Sequence, residues 1–318
     1  MTGRPAARPL GDASSQRLRA AWLYHNRGMT QKQVADALGL SRATVIRMIE
    51  DGLRASEVQV WINEDPKVPV RLAIALEETF GLAEAVVVPG AADATRAVGA
   101  ALGDLLSITL ADGMTVGVGW GRTLHAALPH VTRQRRDGMQ VVSLLGGLVT
   151  PGAANPAEFA WRLAGMTGAG CHLLLSPLFV DSADTKDRLF RACGLGNVIA
   201  MAGRLDVAVV SCGDPRVAGG SLATDHLGPE LRAELVARGA VADVISQFLD
   251  AEGRTIDHPI RHRVMSTDLG LVANARHVVL AAGGAAKAVS IRAALRRFPG
   301  CTLVTDETAA RVLIELDA

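Results

Sequence analysis

The sequence predicts an α/β protein: a small N-terminal helix-turn-helix unit, winged-helix-like, followed by a larger domain on a mostly parallel, Rossmann-like sheet. Three observations carry this. The apolar share is 49%, mostly Ala, Val and Leu, with only 3% aromatic residues, which suits a layered α/β core better than an aromatic-rich β-sandwich. From residue 70 onward, β-branched runs alternate with helical stretches. Residues 1–61 contain a helix-turn-helix pattern and are basic, with nine Lys and Arg against five Asp and Glu, whereas the remainder is net acidic.

Residues 1–15 are rich in Pro, Ala and Ser and read as a disordered arm. From Gln16 to Arg27, the residues Leu18, Ala21, Trp22 and His25 recur at helical spacing. Thr30, with Gln33 three residues on, is a helix N-cap, and Val34, Ala35 and Leu38 form the inner face of the helix it starts. Gly39 allows a sharp turn, Leu40 plugs it, and Ser41 caps a second helix from Arg42 to about Arg54 with Val45, Met48 and Ile49 inward. A small residue where the helices approach, a glycine in the turn and an apolar residue between them meet the steric demands of a helix-turn-helix. The second helix then enters the major groove by its N-terminal end, so Ser41, Arg42, Ala43, Thr44 and Arg47 face double-stranded DNA, with Thr30 and Gln31 beside them. An ordinary helical hairpin with a solvated outer face is the competing reading; turn, caps and basic face favour DNA. SEVQVWI (56–62) alternates like a strand and suits a small wing, and the polar, two-proline NEDPKVP (63–69) suits a linker. The domains expected are therefore 1–62, a linker at 63–69, and 70–318.

In the large domain the candidate strands are 85–89, 114–119, 139–145, 171–175, 206–211, 277–282 and 301–305. Candidate helices are 93–110, 121–131, 156–168, 184–193, 229–238, 285–297 and 306–316. Ligands of such sheets collect at the carboxyl ends of the strands, and here those ends are glycine-rich. GVGWGRT (117–123) runs from a strand through Gly119 and Gly121 into a helix start at Arg122 and Thr123. No acid ends the next strand to hold a dinucleotide's ribose, and no Walker-type loop occurs, so a lone phosphate or a ligand-free turn remains. AAGGAAK places Gly284 at a strand end and Lys287 in the first turn of a helix, where the dipole disfavours a cation. A shared anion explains such a lysine; a solvated surface lysine is the alternative. QFLDAEG places Asp250 at a strand end before a turn, where it either accepts from ligand hydroxyls or caps the turn.

Several function classes find no support. No apolar run reaches the roughly 18 residues of a membrane span, and the N-terminus has no signal-peptide core. The four cysteines are scattered without a CxxC pair, pointing to a cytoplasmic protein with reduced thiols and no cysteine-based metal site. His258 and His262 lack a third ligand. Asp306 begins a helix, as a cap does, and no nucleophile elbow occurs. No catalytic residue, cofactor or metal is expected. A homo-oligomer, dimer or tetramer, is expected because one helix-turn-helix reads only a few base pairs.

Taken in order, TQKQVADALGLSRATVIRMI, VGVGWGRTL, SLLGG, GAVADVISQFLDAEG, AAGGAAKAVSIRAAL and LVTDETAARVLIEL make the chain resemble the SorC/DeoR-type sugar-binding transcriptional regulators of bacteria. The resemblance implies a DNA-binding regulator of a carbohydrate or polyol operon, gated by a sugar or polyol phosphate, with an effector domain similar to sugar-phosphate isomerases. It implies that Gly121, Arg122, Thr123 and Lys287 hold a phosphate, and that Gly146, Gly147, Asp250 and Asn155 line a sugar pocket. An isomerase-type enzyme with an accessory N-terminal domain is the alternative, since fold does not fix function.

Overall fold

Short apolar runs bury both faces of a strand only if helices cover the sheet on both sides, and that is how the large domain folds. The computed structural model describes residues 13–25, 27–54, 64–148 and 155–317. The chain divides into two compact units, 1–64 and 65–318.

The strands of the second unit are β1 (Glu84–Val88), β2 (Thr115–Val118), β3 (Gln140–Ser143), β4 (Gly170–His172), β5 (Val207–Val210), β6 (Cys212–Gly213), β7 (Ala242–Val244), β8 (Gln247–Leu249), β9 (His277–Ala281) and β10 (Thr302–Asp306). Among the described residues, seven form one sheet in the order β1-β10-β9-β5-β2-β3-β4, and each adjacent pair is parallel. These are the seven strands the sequence predicts. Side chains alternate between two cores: Val207 and Val209 join Val116, Val118, Val279 and Val304 on one face, while Ala208 and Val210 join Leu144, Leu280 and Leu303 on the other.

Of the second, antiparallel sheet β6-β7-β8, only β8, the strand that ends before Asp250, is legible in the sequence; β6 and β7 are two and three residues long. Helices Leu195–Ala202, Leu222–Leu227 and Leu269–Ala273 also add to the prediction.

The first unit holds α1 (Ala13–His25), α2 (Gln31–Leu38) and α3 (Arg42–Arg54) around Ala20, Val34, Ala35, Val45 and Ile49. Helix α1 begins at Ala13, so the last three residues assigned to the arm are helical; residues 1–12 lie outside the described residues. The buried face of α1 matches the predicted stripe only in part: Ala21 is buried and Ala20, Leu23 and Tyr24 join the core, whereas Leu18 and Trp22 are exposed. The Arg27 guanidinium stands 5.1 Å over the Trp22 ring, which lets a large apolar side chain sit at the surface. The wing expected at 56–62 lies outside the described residues. Helix α4 (Glu64–Phe80) takes in most of the segment expected as linker. Proline is tolerated in a helix's first turn, so Pro66 does not prevent this, and Pro69 lies inside the helix.

Two glycines set how closely the helix before β2 approaches the helix after it. On α5 (Ala94–Thr109), Gly99 and Gly103 face α6 (Arg122–Ala127) and the turn beyond it. A Cβ on Gly103 would stand 2.5 Å from the Ala127 carbonyl oxygen, and one on Gly99 2.6 Å from Ala126 Cβ. Alanine favours helix over glycine by up to about 1 kcal/mol, but a clash with backbone cannot relax. Gly103→Ala is therefore expected to destabilise the protein by about 1–3 kcal/mol. Exposed Gly165, on α7 (Pro156–Thr167), has no atom within 4 Å of a built Cβ. Gly165→Ala should stabilise by about 0.5–1 kcal/mol, and urea denaturation of both variants checks the opposite signs.

Candidate functional site

Strand β2 leads to β3 on one side of the sheet, while β5 leads to β9 on the other. The crevice between β2 and β5 is thus the point where connections diverge, the usual ligand position in an open α/β sheet. A pocket opens there, lined by Trp120–Thr123 after β2, Ser211–Gly213 after β5, and Lys287 after β9. Asp243 and Ile245 close it from the small sheet.

Each wall has a local cause. Gly121, at φ +140, turns the chain into α6 and caps it without a side chain. Gly119 donates its N–H to the Val209 carbonyl at 2.8 Å and leaves room for Ile245, whose Cγ2 would lie 3.0 Å from a Cβ there. Thr123 is buried, and exposed Arg122 donates through Nη2 to the Gly219 carbonyl on the loop after β6. Asp214 anchors that loop by accepting from Arg216 at 2.6 and 2.9 Å. On the third wall, Gly284 sits at φ +94 and its N–H donates to buried Asp306 at 2.6 Å. Asp306 also accepts from Thr308 N at 3.1 Å, so it caps the last helix, the role its position predicts, and pins the Gly284 loop as well. Lys287 follows in a short helical turn before helix Ala288–Arg297.

Asp243 is the residue that sequence reasoning missed. It is 5% exposed; Ser221 Oγ donates to Oδ2 at 2.5 Å, and Oδ1 has no well-formed hydrogen bond among the described residues. Burial pushes its pKa up to about 6, against the pull of the Ser221 hydroxyl and the nearby backbone N–H groups of Ser246 and Ala223. Neighbouring Cys212 is pushed up to about 12 by burial, opposed by the Lys287 charge, so it lines the pocket as a neutral thiol. The signal for Asp243 was weak, a single acid within the apolar GAVADV run.

The expected sugar-lining residues stand elsewhere. Asp250 accepts from the backbone of Glu252 and Arg254 at 3.0 and 2.9 Å and from the Arg254 guanidinium at 2.9 Å, so it caps its turn and lines a different depression. Gly146 and Gly147 serve close backbone packing, donating to Met265 O at 2.7 Å and Ser176 O at 2.9 Å. Asn155 caps α7, accepting from Ala157 N at 3.1 Å. None of the four lines the β2–β5 pocket. His258 holds its own turn through Nδ1, which accepts from Ile260 N at 3.1 Å. Among the described residues, no cluster of three His, Cys, Asp or Glu is placed to hold a metal, and no helix is long and apolar enough to cross a membrane.

In the first unit the predicted motif is built as drawn. Thr30 Oγ1 accepts from Gln33 N at 3.3 Å while Gln33 Oε1 accepts from Thr30 N at 2.8 Å, a reciprocal cap. Gly39, at φ +66, ends α2, and Ser41 Oγ accepts from Thr44 N at 3.1 Å to start α3. Ser41, Arg42, Ala43 and Arg47 are exposed on α3, with Thr44 half-buried.

A helix-turn-helix joined to a ligand pocket of this kind defines the effector-responsive transcriptional regulators. Residues 65–315 match the family model described as "Putative sugar-binding domain", and residues 13–52 match that of a homeodomain-like domain. The chain is 30% identical over 302 residues to the erythritol catabolism regulatory protein EryD of Brucella abortus, covering 93% of this chain and 95% of that one. It is 29% identical over 306 residues to the deoxyribonucleoside regulator of Bacillus subtilis, covering 93% and 96%. The full-length sorbitol operon regulator SorC of Klebsiella pneumoniae superposes with a TM-score of 0.74 at 26% identity, over 96% of this chain and 100% of that one. The chain belongs to the SorC/DeoR-type family of sugar-binding transcriptional regulators. These relatives are regulators, and the isomerase alternative draws no support from them.

Asp243 yields a pH prediction. Its folded pKa, about 6, lies above the ordinary 3.8, so the folded state holds this proton more tightly than the unfolded chain. The resulting stability is full below about pH 4 and is lost as pH rises through about 6. Asp243→Asn should therefore match wild type near pH 4 but be more stable by about 2 kcal/mol near pH 8, as read by denaturation at both.

Proposed function

We propose that this regulator reads operator DNA through α3 and is gated by a phosphorylated sugar or polyol in the β2–β5 pocket. The observation that carries the effector reading is the lining itself: two cationic side chains, Arg122 and Lys287, delivered from different strand ends, and one buried carboxylate, Asp243. Cations and backbone N–H groups suit a phosphate, while a carboxylate repels one and suits the hydroxyls of the same molecule. The pocket thus has an anion end at Gly121–Thr123 and Lys287, and a hydroxyl end at Asp243, whose Oδ1 has acceptor capacity to spare. The names of the relatives, erythritol catabolism and sorbitol operon regulators among them, support a polyol or sugar as the effector class.

Calorimetric titration with sugar and polyol phosphates beside their free counterparts tests this. Lys287→Ala should weaken the phosphorylated effector by about 10- to 100-fold, as expected for a charge-assisted bond, and leave the free form nearly unchanged. Equal losses for both forms would remove the phosphate from this end.

On the DNA side, the exposed basic N-terminus of α3 supports major-groove contact by Ser41, Arg42, Ala43, Thr44 and Arg47, with Thr30 and Gln31 alongside. A homo-oligomer follows from the need to engage two half-sites. Sedimentation of the full chain should give a dimer or a higher even-numbered species; a monomer both free and on DNA would overturn it.

A further inference from the structure

Gln31 opens α2 and Arg42 opens α3, and the turn between the helices brings their side chains together. Both Nε and Nη2 of Arg42 donate to Oε1 of Gln31, at 3.3 and 3.2 Å. A guanidinium carries only donors, so the Gln31 atom that faces it has to be the carbonyl oxygen, and chemistry settles the orientation of the amide. Both partners rise from fixed backbone: Gln31 lies between the reciprocally capped Thr30 and Gln33, and Arg42 follows the Ser41 cap. Leu40 N donates to Ala35 O at 2.9 Å and closes the turn that sets their separation.

The pair is placed at the surface, where such a bond contributes little to folding. Its consequence is geometric. An arginine offers two double-donor edges, the Nε–Nη2 side and the Nη1–Nη2 end, and an unrestrained exposed arginine presents either in many rotamers. Here the side edge is taken by Gln31. Nη1 makes no hydrogen bond among the described residues, and together with the second N–H of Nη2 it forms the end whose two parallel N–H groups match the O6 and N7 acceptors of guanine.

We propose that Gln31 is a positioning residue for base readout: it holds Arg42 end-on toward one guanine in the major groove. This rests on the reading of α3 as the DNA-contacting helix and assigns the mechanism of its selectivity. Without Gln31 the arginine must be ordered on binding, and its side edge competes for the same base.

The test is selection by the full-length protein from a DNA duplex library with a randomised centre, using wild type, Arg42→Ala, Gln31→Ala and Gln31→Glu. The wild-type motif should contain a guanine whose enrichment disappears in Arg42→Ala. Gln31→Ala should lose about tenfold of that enrichment at the same position and none elsewhere. Gln31→Glu should keep it, since a carboxylate still accepts from Nε and Nη2, even if its charge lowers affinity for every sequence alike. Gln31→Ala with the wild-type preference, or with a change at other positions instead, overturns the inference, as does loss of the preference in Gln31→Glu. Should Gln31→Ala select no sequence, Gln31→Glu decides alone. If Arg42→Ala itself keeps every preference, the reading of α3 fails and the inference with it; loss in Arg42→Ala without loss in Gln31→Ala defeats the inference only.

Discussion

The parallel register of β9, β5 and β2 is the constraint on which the β2–β5 pocket depends. Parallel strands end on the same side of a sheet, so three neighbours deliver three loops to one place whatever the sequence distance between them. Each loop then needs a device to leave its strand sharply: Gly121 after β2, the short β6 pairing after β5, and Gly284 after β9. Close packing of α5 against α6 through Gly99 and Gly103 holds the first loop, and Asp306 holds the third. The second is tied to the first by Arg122 and Gly219.

The polarity of the pocket follows from burial. A carboxylate inside a protein is costly unless its oxygens are satisfied, and of the two oxygens of Asp243 only Oδ2 has a well-formed hydrogen bond among the described residues. Asp250 instead accepts from Arg254 and two backbone N–H groups, which hold its carboxyl below the ordinary carboxylate range despite some burial. Of the two acids, the one that costs stability is the one with capacity left for a ligand.

The N-terminal unit reaches order by a different route. Its core is small, so reciprocal caps at Thr30 and Gln33, the left-handed Gly39 and the Ser41 cap do much of the work of defining where α2 stops and α3 starts. Those same caps bring the side chains at the first positions of both helices within hydrogen-bonding reach.

By itself the sequence determined every element whose signal is local. The seven sheet strands, the helix-turn-helix with its inner face at Val34, Ala35, Val45 and Ile49, and the glycine-rich strand ends all follow from patterns a few residues wide. Only the tertiary structure decided which strand ends are neighbours, because strand order is set by packing and crossover geometry between distant segments. It also placed Asp243, and not Asp250, in the β2–β5 pocket. Asp243 sits within one short apolar run and Asp250 ends another, and no local pattern reveals which of them is enclosed by loops arriving from β2, β5 and β9.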